Sequence, residues 1–438
     1  MKLLDSSRVR VGVASFILVI ALAGEFPRNL LTWWGWGVFA AVVVALGIAL
    51  LVHARRSITA STIPIPLVAF LGLAVLSIAW SHYPGASALG VGLTIATSLA
   101  AAGIALALGW EELLRSLGWA LRIILGLSLL FEFIVSAFIR QPIYPVWVVP
   151  GDYVNPDAKL LLWSRNLLFD GGKIQGVVGN SSLLAMLALL GVIVFAIQLA
   201  SKRVTPVRGS LWLALALGLL LLTRSATIFA ALGAVVIVTL AVIAVRRSAT
   251  MRRGGLVRLG VLVAAIGAVV AAIALRGPLL GLLGKSSDFT GRFDIWAAVG
   301  ALAEQRPVAG WGWVGYWAPW ADPFDTLIVK GGVQVLHAHN AWIDVWFQLG
   351  AIGVVVFAAL VLSTTVRSWL FAVDRTILIP GERGTHDWLG LLPVLIVTAQ
   401  LVQSIAESRL LIEGGLLLFL IVAIATKRSN QVGSTGNA

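Results

Sequence analysis

HAHNAWIDVWFQLGAIGVVVFAALVLS, residues 337–363, decides what kind of chain this is. It sets two of only five histidines, followed by Asn340, at the start of an apolar run from 341 to 363. A run of that length crosses ~30 Å of hydrocarbon as a helix. A titratable cluster where such a helix begins is costly beside lipid and marks a functional position. Hydrophobic residues make up 59% of the 438 and charged residues 12%, and comparable runs recur from end to end. The fold class is therefore an all-α polytopic membrane protein. Twelve spans are predicted: 11–26, 33–52, 63–80, 86–108, 117–138, 183–199, 211–222, 228–245, 256–275, 341–363, 388–405 and 410–426. The stretch 211–245 is too long for one span, since ~20 residues suffice. It is broken at the polar turn Thr223-Arg224-Ser225-Ala226-Thr227. The first run lacks a small-residue cleavage site and reads as a retained span.

Charge sets the orientation. Lys2, Arg8, Arg10, Arg55, Arg56, Arg115, Lys202, Arg203, Arg246, Arg247, Lys427 and Arg428 all lie beside span ends that face inward if both termini are cytoplasmic, as the positive-inside bias requires. The histidine pair then faces outward, with two segments too polar to span, 139–181 and 276–340. The expected organisation is a single membrane-embedded domain over 1–428 carrying those outer loops. A polar, disordered cytoplasmic tail is expected at 429–438. The net charge of +13 reads as anchoring to membrane lipids of the inner leaflet, and no nucleic-acid partner is expected. Zero cysteines exclude disulfides, thiolate metal sites and cysteine catalysis.

Several polar residues need an explanation. The large loop opens on a short helix at Arg292 that is ended by Pro307 and a Gly-rich turn. Its tryptophans, Trp296, Trp311, Trp313, Trp317 and Trp320, with Trp342 just beyond, suit either a membrane interface or a glycan cleft. Arg292 offers a planar fork for phosphate oxygens, or pairs at the surface with Asp288 or Asp294. Arg224, between two apolar runs, must face a ligand, an ion-pair partner or the interface. Glu407-Ser408-Arg409 is a second polar knot, with Arg409 in an anion pocket and Glu407 orienting it, or else a plain turn. Arg122 and Glu132, ~15 Å apart along one helix, each need a partner elsewhere. For His337 and His339 three roles compete. As a metal pair they lack further ligands. They can cap the following helix with Asn340, or serve as a general base or proton shuttle.

This ordered set resembles the O-antigen ligase and O-antigen (exopolysaccharide) polymerase superfamily of membrane glycosyltransferases. The signature is His339-Asn340, nine residues, then Gly350-Ala351-Ile352-Gly353. Trp80-Ser81 with Pro84, Gly176 to Asn180 with Ala185, Thr223-Arg224-Ser225-Ala226, Gly291-Arg292 with Ile295-Trp296, and Pro307 with Gly310 and Gly312 follow the family's order. Ser225-Ala226 departs from the family's glycine after the arginine. The resemblance implies transfer of a glycan from a polyprenyl (undecaprenyl) pyrophosphate donor to an acceptor hydroxyl on a glycan or lipid, at the outer face of the cell membrane. It implies catalysis by His339 and pyrophosphate or glycan binding by Arg224 and Arg292. His337, Asn340, Arg409, Asn180 and Trp80 complete the expected substrate site. No metal and no cofactor are expected, and no nucleotide fingerprint is present.

Two other classes compete, a lipid-linked oligosaccharide flippase or transporter and a non-enzymatic scaffold. The first has no need of polar outer loops with clustered His and Arg, and no internal repeat relates two halves of this chain. The topology yields a test. Cysteine placed at Ser287 should react with an impermeant thiol reagent in intact cells, and cysteine at Ser248 should not; the reverse pattern would overturn the orientation.

Overall fold

The computed structural model describes residues 2–59, 61–149, 151, 158–247, 292–330, 332–374, 376–377 and 385–435. The predicted span 256–275, with Ser248 and Ser287, lies outside them. Every other predicted span is a helix: α1 (Ser7–Leu22), α2 (Glu25–His53), α3 (Ile65–Leu76), α4 (Pro84–Ala107), α5 (Trp110–Ile134), α6 (Ser181–Ala200), α7 (Pro206–Thr223), α8 (Ala226–Arg247), α10 (Ala341–Asp374), α11 (Leu391–Ser404) and α12 (Glu413–Thr435). The loop helix α9 covers Arg292–Ala303, as the sequence predicts. Among the described residues, seven helices are long and apolar enough to cross a membrane: α2, α4, α5 with its extension to Ile139, α6, α7, α8 and α10. α1, α3 and α11, of 16, 12 and 14 residues, are shorter than a full crossing. Among the described residues, strands occur only as two-residue pairs, one of which (Val329–Lys330 with Val333–Gln334) closes the loop insert after Pro319.

The expected break in the stretch 211–245 is present. α7 stops at Thr223, Arg224 takes the left-handed conformation (φ 49°), and α8 starts at Ala226. At the other terminus, Arg428 donates to the carbonyls of Leu106 and Leu108 (both 2.7 Å), and the Trp110 indole donates to Ser429. These contacts dock the end of α12 on the α4–α5 connection, and the helix continues to Thr435, beyond the point where a disordered tail is expected.

Polar contacts sort the bundle into two ends. Arg10 pairs with Glu112, Arg203 with Glu111, and Arg246 reaches the carbonyls of Ala372 and Asp387. These residues stand at the start of α1 and α5, the end of α6 and the junction of α8, α10 and α11. Arg246, near the last residue of α8, thus meets the approach to the first residue of α11, so the two packed helices run antiparallel. The start of α8, beside Arg224, therefore lies at the same end as Ser404 and the segment that follows α11. Within the bundle, Arg122 donates to Gln198 (2.5 Å) and stacks its guanidinium 5.0 Å from the Phe195 ring centroid. Glu132 accepts from Ser164 Oγ (2.8 Å) and from the backbone N–H groups of Gln175 (2.9 Å) and Gly176 (2.7 Å). Each isolated charge of α5 thus has its partner on another segment, as burial demands.

α10 is interrupted at Gly350, which adopts φ 64°. The broken ends are satisfied by the large loop. Trp311 and Gly312 donate their N–H groups to the carbonyls of Phe347 (3.0 Å) and Gln348 (2.9 Å), and Ala351 and Ile352 donate to the carbonyls of Pro307 (2.8 Å) and Val308 (3.2 Å). Backbone groups freed at membrane depth need such partners. A side chain at Gly350 would overlap the Val308 carbonyl. Gly350→Ala should therefore destabilise the purified protein by at least about 2 kcal/mol. Gly218→Ala in α7, where a Cβ meets open space, should be nearly neutral. Thermal unfolding in one detergent compares them, and equal effects would refute the close-approach reading.

Candidate functional site

The tryptophans of the large loop build its core. Trp313 and Trp317 are fully buried and Trp311 nearly so. Trp317 stacks on Phe324 at 5.4 Å, and Phe347 and Tyr83 close the same cluster. Burial of these rings decides against both sequence expectations for them, the interface and the sugar platform; Trp320 alone of the loop set is strongly exposed. The Trp80 indole donates to the Ala309 carbonyl (3.0 Å), and the His82 N–H donates to the Trp311 carbonyl (2.9 Å). Trp80 is thus a staple between the end of α3 and the loop that caps α10.

Above this core, Asp344 is a fully buried acceptor on the first turn of α10. It receives the Ala338 N–H (3.0 Å), the Trp317 indole (2.9 Å) and the Ser408 hydroxyl. Ser408 Oγ in turn accepts the Asn340 N–H (3.2 Å). Asn340 is the N-cap of α10, its Oδ1 taking the N–H groups of Trp342 (2.9 Å) and Ile343 (3.2 Å). His339 lies between these two anchored neighbours at φ 51°, a conformation that costs about 1–3 kcal/mol outside glycine and persists where its surroundings hold it.

The side chains converge on Glu407. One oxygen accepts from Arg292 Nη2 (2.7 Å) and the other meets His339 Nδ1 (3.0 Å). Arg292 therefore pairs with Glu407 and not with Asp294, while Asp288 lies outside the described residues; Glu407 does not orient Arg409. Arg409 is held instead by Glu25 (3.1 Å) and Glu413 (2.7 Å). Burial by itself would raise the Glu407 carboxyl. The His339 hydrogen bond and the charges of His339, His337 and Arg292 outweigh it and bring the value down to about 2. An ionised carboxylate only accepts, so His339 Nδ1 carries the proton that meets it, and Nε2 is the ring nitrogen left without a partner among the described residues. The His339 N–H donates to His337 Nδ1 (3.1 Å), with ring centroids 4.0 Å apart. Burial, then the neighbouring charge of His339, pushes His337 well below the ordinary imidazole range, so that ring is neutral at pH 7.

Not every expected residue joins the cluster. Asn180 caps α6, accepting from Ser182 (2.9 Å) and Leu183 (3.1 Å). Arg224 is exposed at the α7–α8 turn beside Gly171, with no ion pair among the described residues. It lies at the site's end of the bundle, on a different element from Arg292. Glu407 and Asp344 are the members that sequence reasoning underrated. Asp344 lies one turn inside an apolar run, where an acid with no visible partner was itself the signal. His337, His339 and Glu407 also each present one donor atom within 4.8 Å of the others, an arrangement that could hold a metal ion. Arg292 already occupies one Glu407 oxygen, which opposes a second cation there.

Residues 210–358 match the family model described as O-antigen ligase. The match spans the α7–α8 turn, α9, the histidine pair and the Gly350 break, and it supports the O-antigen ligase superfamily for this chain. The match covers about a third of the chain; with the seven long apolar helices it supports a multi-pass membrane protein with a glycan-transferring function. A comparison with curated proteins gives no match.

Glu407 provides a pH test. Its value of about 2 lies below the ~4.3 of an unperturbed glutamate. Its contribution to stability is thus complete above ~4.3 and fades as pH falls toward 2. Glu407→Gln should therefore lose less stability than wild type between pH 6 and pH 3, measured as the drop in unfolding temperature. An equal drop in both proteins would show that Glu407 is not held by His339 and Arg292.

Proposed function

We propose that this protein is a metal-independent glycosyltransferase. It moves a glycan from a polyprenyl (undecaprenyl) pyrophosphate to an acceptor hydroxyl at the outer face of the cell membrane, as an O-antigen ligase-like enzyme or a surface-polysaccharide polymerase. The observation that carries this reading is the Arg292–Glu407–His339 relay, in which one carboxylate joins a guanidinium to an imidazole and leaves the second ring nitrogen without a partner among the described residues.

His339 Nε2 takes the proton of the acceptor hydroxyl as its oxygen bonds to the anomeric carbon of the donor sugar. The bond from that carbon to the pyrophosphate oxygen breaks, and the electron pair leaves with the polyprenyl pyrophosphate. Charge developing on the leaving group is met by Arg292, with Arg224 approaching from the α7–α8 turn; fixed cations in a low-dielectric cleft stabilise it strongly. Glu407 holds the ring tautomer and steadies the imidazolium once it forms. Asp344, Ser408 and Asn340 fix the backbone on either side of His339. His337 receives the His339 N–H, which sets the angle of the catalytic segment.

Loss of a positioned general base costs ~10²–10⁴-fold, so His339→Ala should lose transfer while still binding donor, and His337→Ala should be milder. Arg224→Lys and Arg292→Lys should each weaken activity strongly, because a point charge does not reproduce the planar fork. Turnover of a defined lipid-pyrophosphate donor by purified protein, with and without EDTA, measures all of these. An active His339→Ala enzyme would refute the base, near-normal Lys variants would refute the pyrophosphate role, and chelator inhibition reversed by a divalent ion would refute the metal-free reading.

A further inference from the structure

Two guanidiniums share one aromatic ring at the end of the bundle away from the histidine pair. That end is fixed by α12, which begins beside Arg409 and finishes where Arg428 meets the carbonyls of Leu106 and Leu108, just ahead of α5. Arg122 of α5 lies 5.8 Å from the Trp119 ring centroid, and Arg208, in the first turn of α7, lies 5.5 Å from it. Trp212 of α7 closes the cleft, 5.9 Å from Arg122. Side chains on a helix lean toward its start, so the Arg122 stem reaches back to Gln198, in the last turn of α6. Arg122 and Arg208 thus meet near the level at which α6 ends and α7 begins, the depth to which a snorkelling arginine extends.

Neither cation is neutralised. Arg122 is only 6% exposed, and it donates to the neutral amide of Gln198, while its Nε is buried without a partner among the described residues. Glu111 and Glu112, at the start of α5, are taken by Arg203 and Arg10, and among the described residues no carboxylate lies within ion-pair distance of Arg122 or Arg208. A buried charge without compensation is costly, and two like charges at one ring repel, so the pair calls for an anion. The surrounding surface indicates what carries that anion. Trp119 and Ile123 on α5, with Val207 and Leu211 on α7, are exposed large apolar side chains, a wall suited to hydrocarbon. A soluble anion gains nothing from that wall, whereas a phosphate that arrives with acyl chains attached covers it.

We infer that the cleft between α5 and α7 binds one anionic phospholipid of the inner leaflet, with its phosphodiester between Arg122 and Arg208 and its chains along Ile123, Val207 and Leu211. The site does not depend on the proposed transfer reaction. It is also more specific than anchoring by net charge, because two particular arginines carry it among the many basic residues at this end. The planar guanidinium fork matches phosphate oxygens. A lipid of net negative charge, such as phosphatidylglycerol, supplies the missing counter-charge; a zwitterionic lipid brings its own ammonium group, which the two arginines repel. The bound lipid joins α5 to α7, whose far end carries Arg224.

The test uses the full-length protein in phosphatidylcholine nanodiscs doped with a phosphatidylglycerol that carries a diazirine high in one acyl chain, with cross-links mapped by peptide mass spectrometry. Label is expected on 117–126 and 206–215, displaced by unlabelled phosphatidylglycerol. Arg208→Gln, a change at an exposed position, should cut it about fivefold, the worth of one basic residue at an anionic surface, and Arg208→Lys should keep most of it. Arg122→Met should cut it as well; where its elution profile shows misfolding, the two Arg208 variants decide alone. Arg55→Gln with Arg56→Gln removes two exposed charges from the same end, which the His53–Asp5 contact locates beside the start of α1, and should leave the label unchanged. Phosphatidylglycerol should also raise the unfolding temperature over pure phosphatidylcholine, as a ligand of the folded state does, and raise it less in Arg208→Gln. Equal labelling by a diazirine phosphatidylcholine would overturn the inference by making the cleft part of the general lipid annulus. So would an equal loss of label in the Arg55/Arg56 variant, which would reduce the effect to bulk charge. Displacement by inorganic phosphate alone would overturn the lipid assignment in favour of a soluble anion.

Discussion

The arrangement depends on one interrupted helix. A transmembrane helix satisfies its own backbone, and a break in it strands N–H and C=O groups where water is scarce. At Gly350 those groups are met by the carbonyls of Pro307 and Val308 and the N–H groups of Trp311 and Gly312. The loop that supplies them cannot drift, because releasing it would expose unsatisfied groups on both sides of the break. Trp80 and His82 fasten the same loop to the end of α3. The short first half of α10 can therefore hold Asp344 and Asn340 in place, and with them the backbone around His339.

Glu407 plays the corresponding part for charge. It stands between a guanidinium and an imidazole, and its ionisation fixes which nitrogen of His339 carries the proton. Removing it would leave Arg292 without its partner and His339 without a defined tautomer. The nearby Glu25–Arg409–Glu413 set is a separate balance, tying the beginning of α2 to that of α12. Two neighbouring charge clusters thus divide the work: one orders the His339 ring and the other closes the bundle behind it.

Much of this was legible in the sequence. Apolar periodicity placed the helices, and the polar interruption at Arg224 located the α7–α8 turn. The spacing from His339-Asn340 to Gly350 singled out the catalytic candidate, but the run 341–363 reads as one unbroken span, and the break at Gly350 comes only from the structure. Tertiary pairing was not legible. Nothing local in Glu407-Ser408-Arg409 says that the two charges turn away from each other, Glu407 to α9 and Arg409 to α2. The tryptophans of the large loop were misjudged for a related reason. Composition suggests an interface, but a loop that must pack over a bundle needs a core of its own, and Trp313 and Trp317 supply it.

Glu132 has a consequence for how the protein fails. Glu132 fastens the segment between α5 and α6 to the bundle with one carboxylate that accepts three hydrogen bonds, beside single bonds from Val177 to Ser128 and from Ile174 to Leu222, in a chain without a single cysteine. Such a tether is indifferent to thiol reductants and oxidants. It is also all-or-none, because losing the one acceptor strands three donors together. The segment should behave as a small cooperative unit that opens ahead of the helices, and amide exchange across 164–176 would rise in step, as one event.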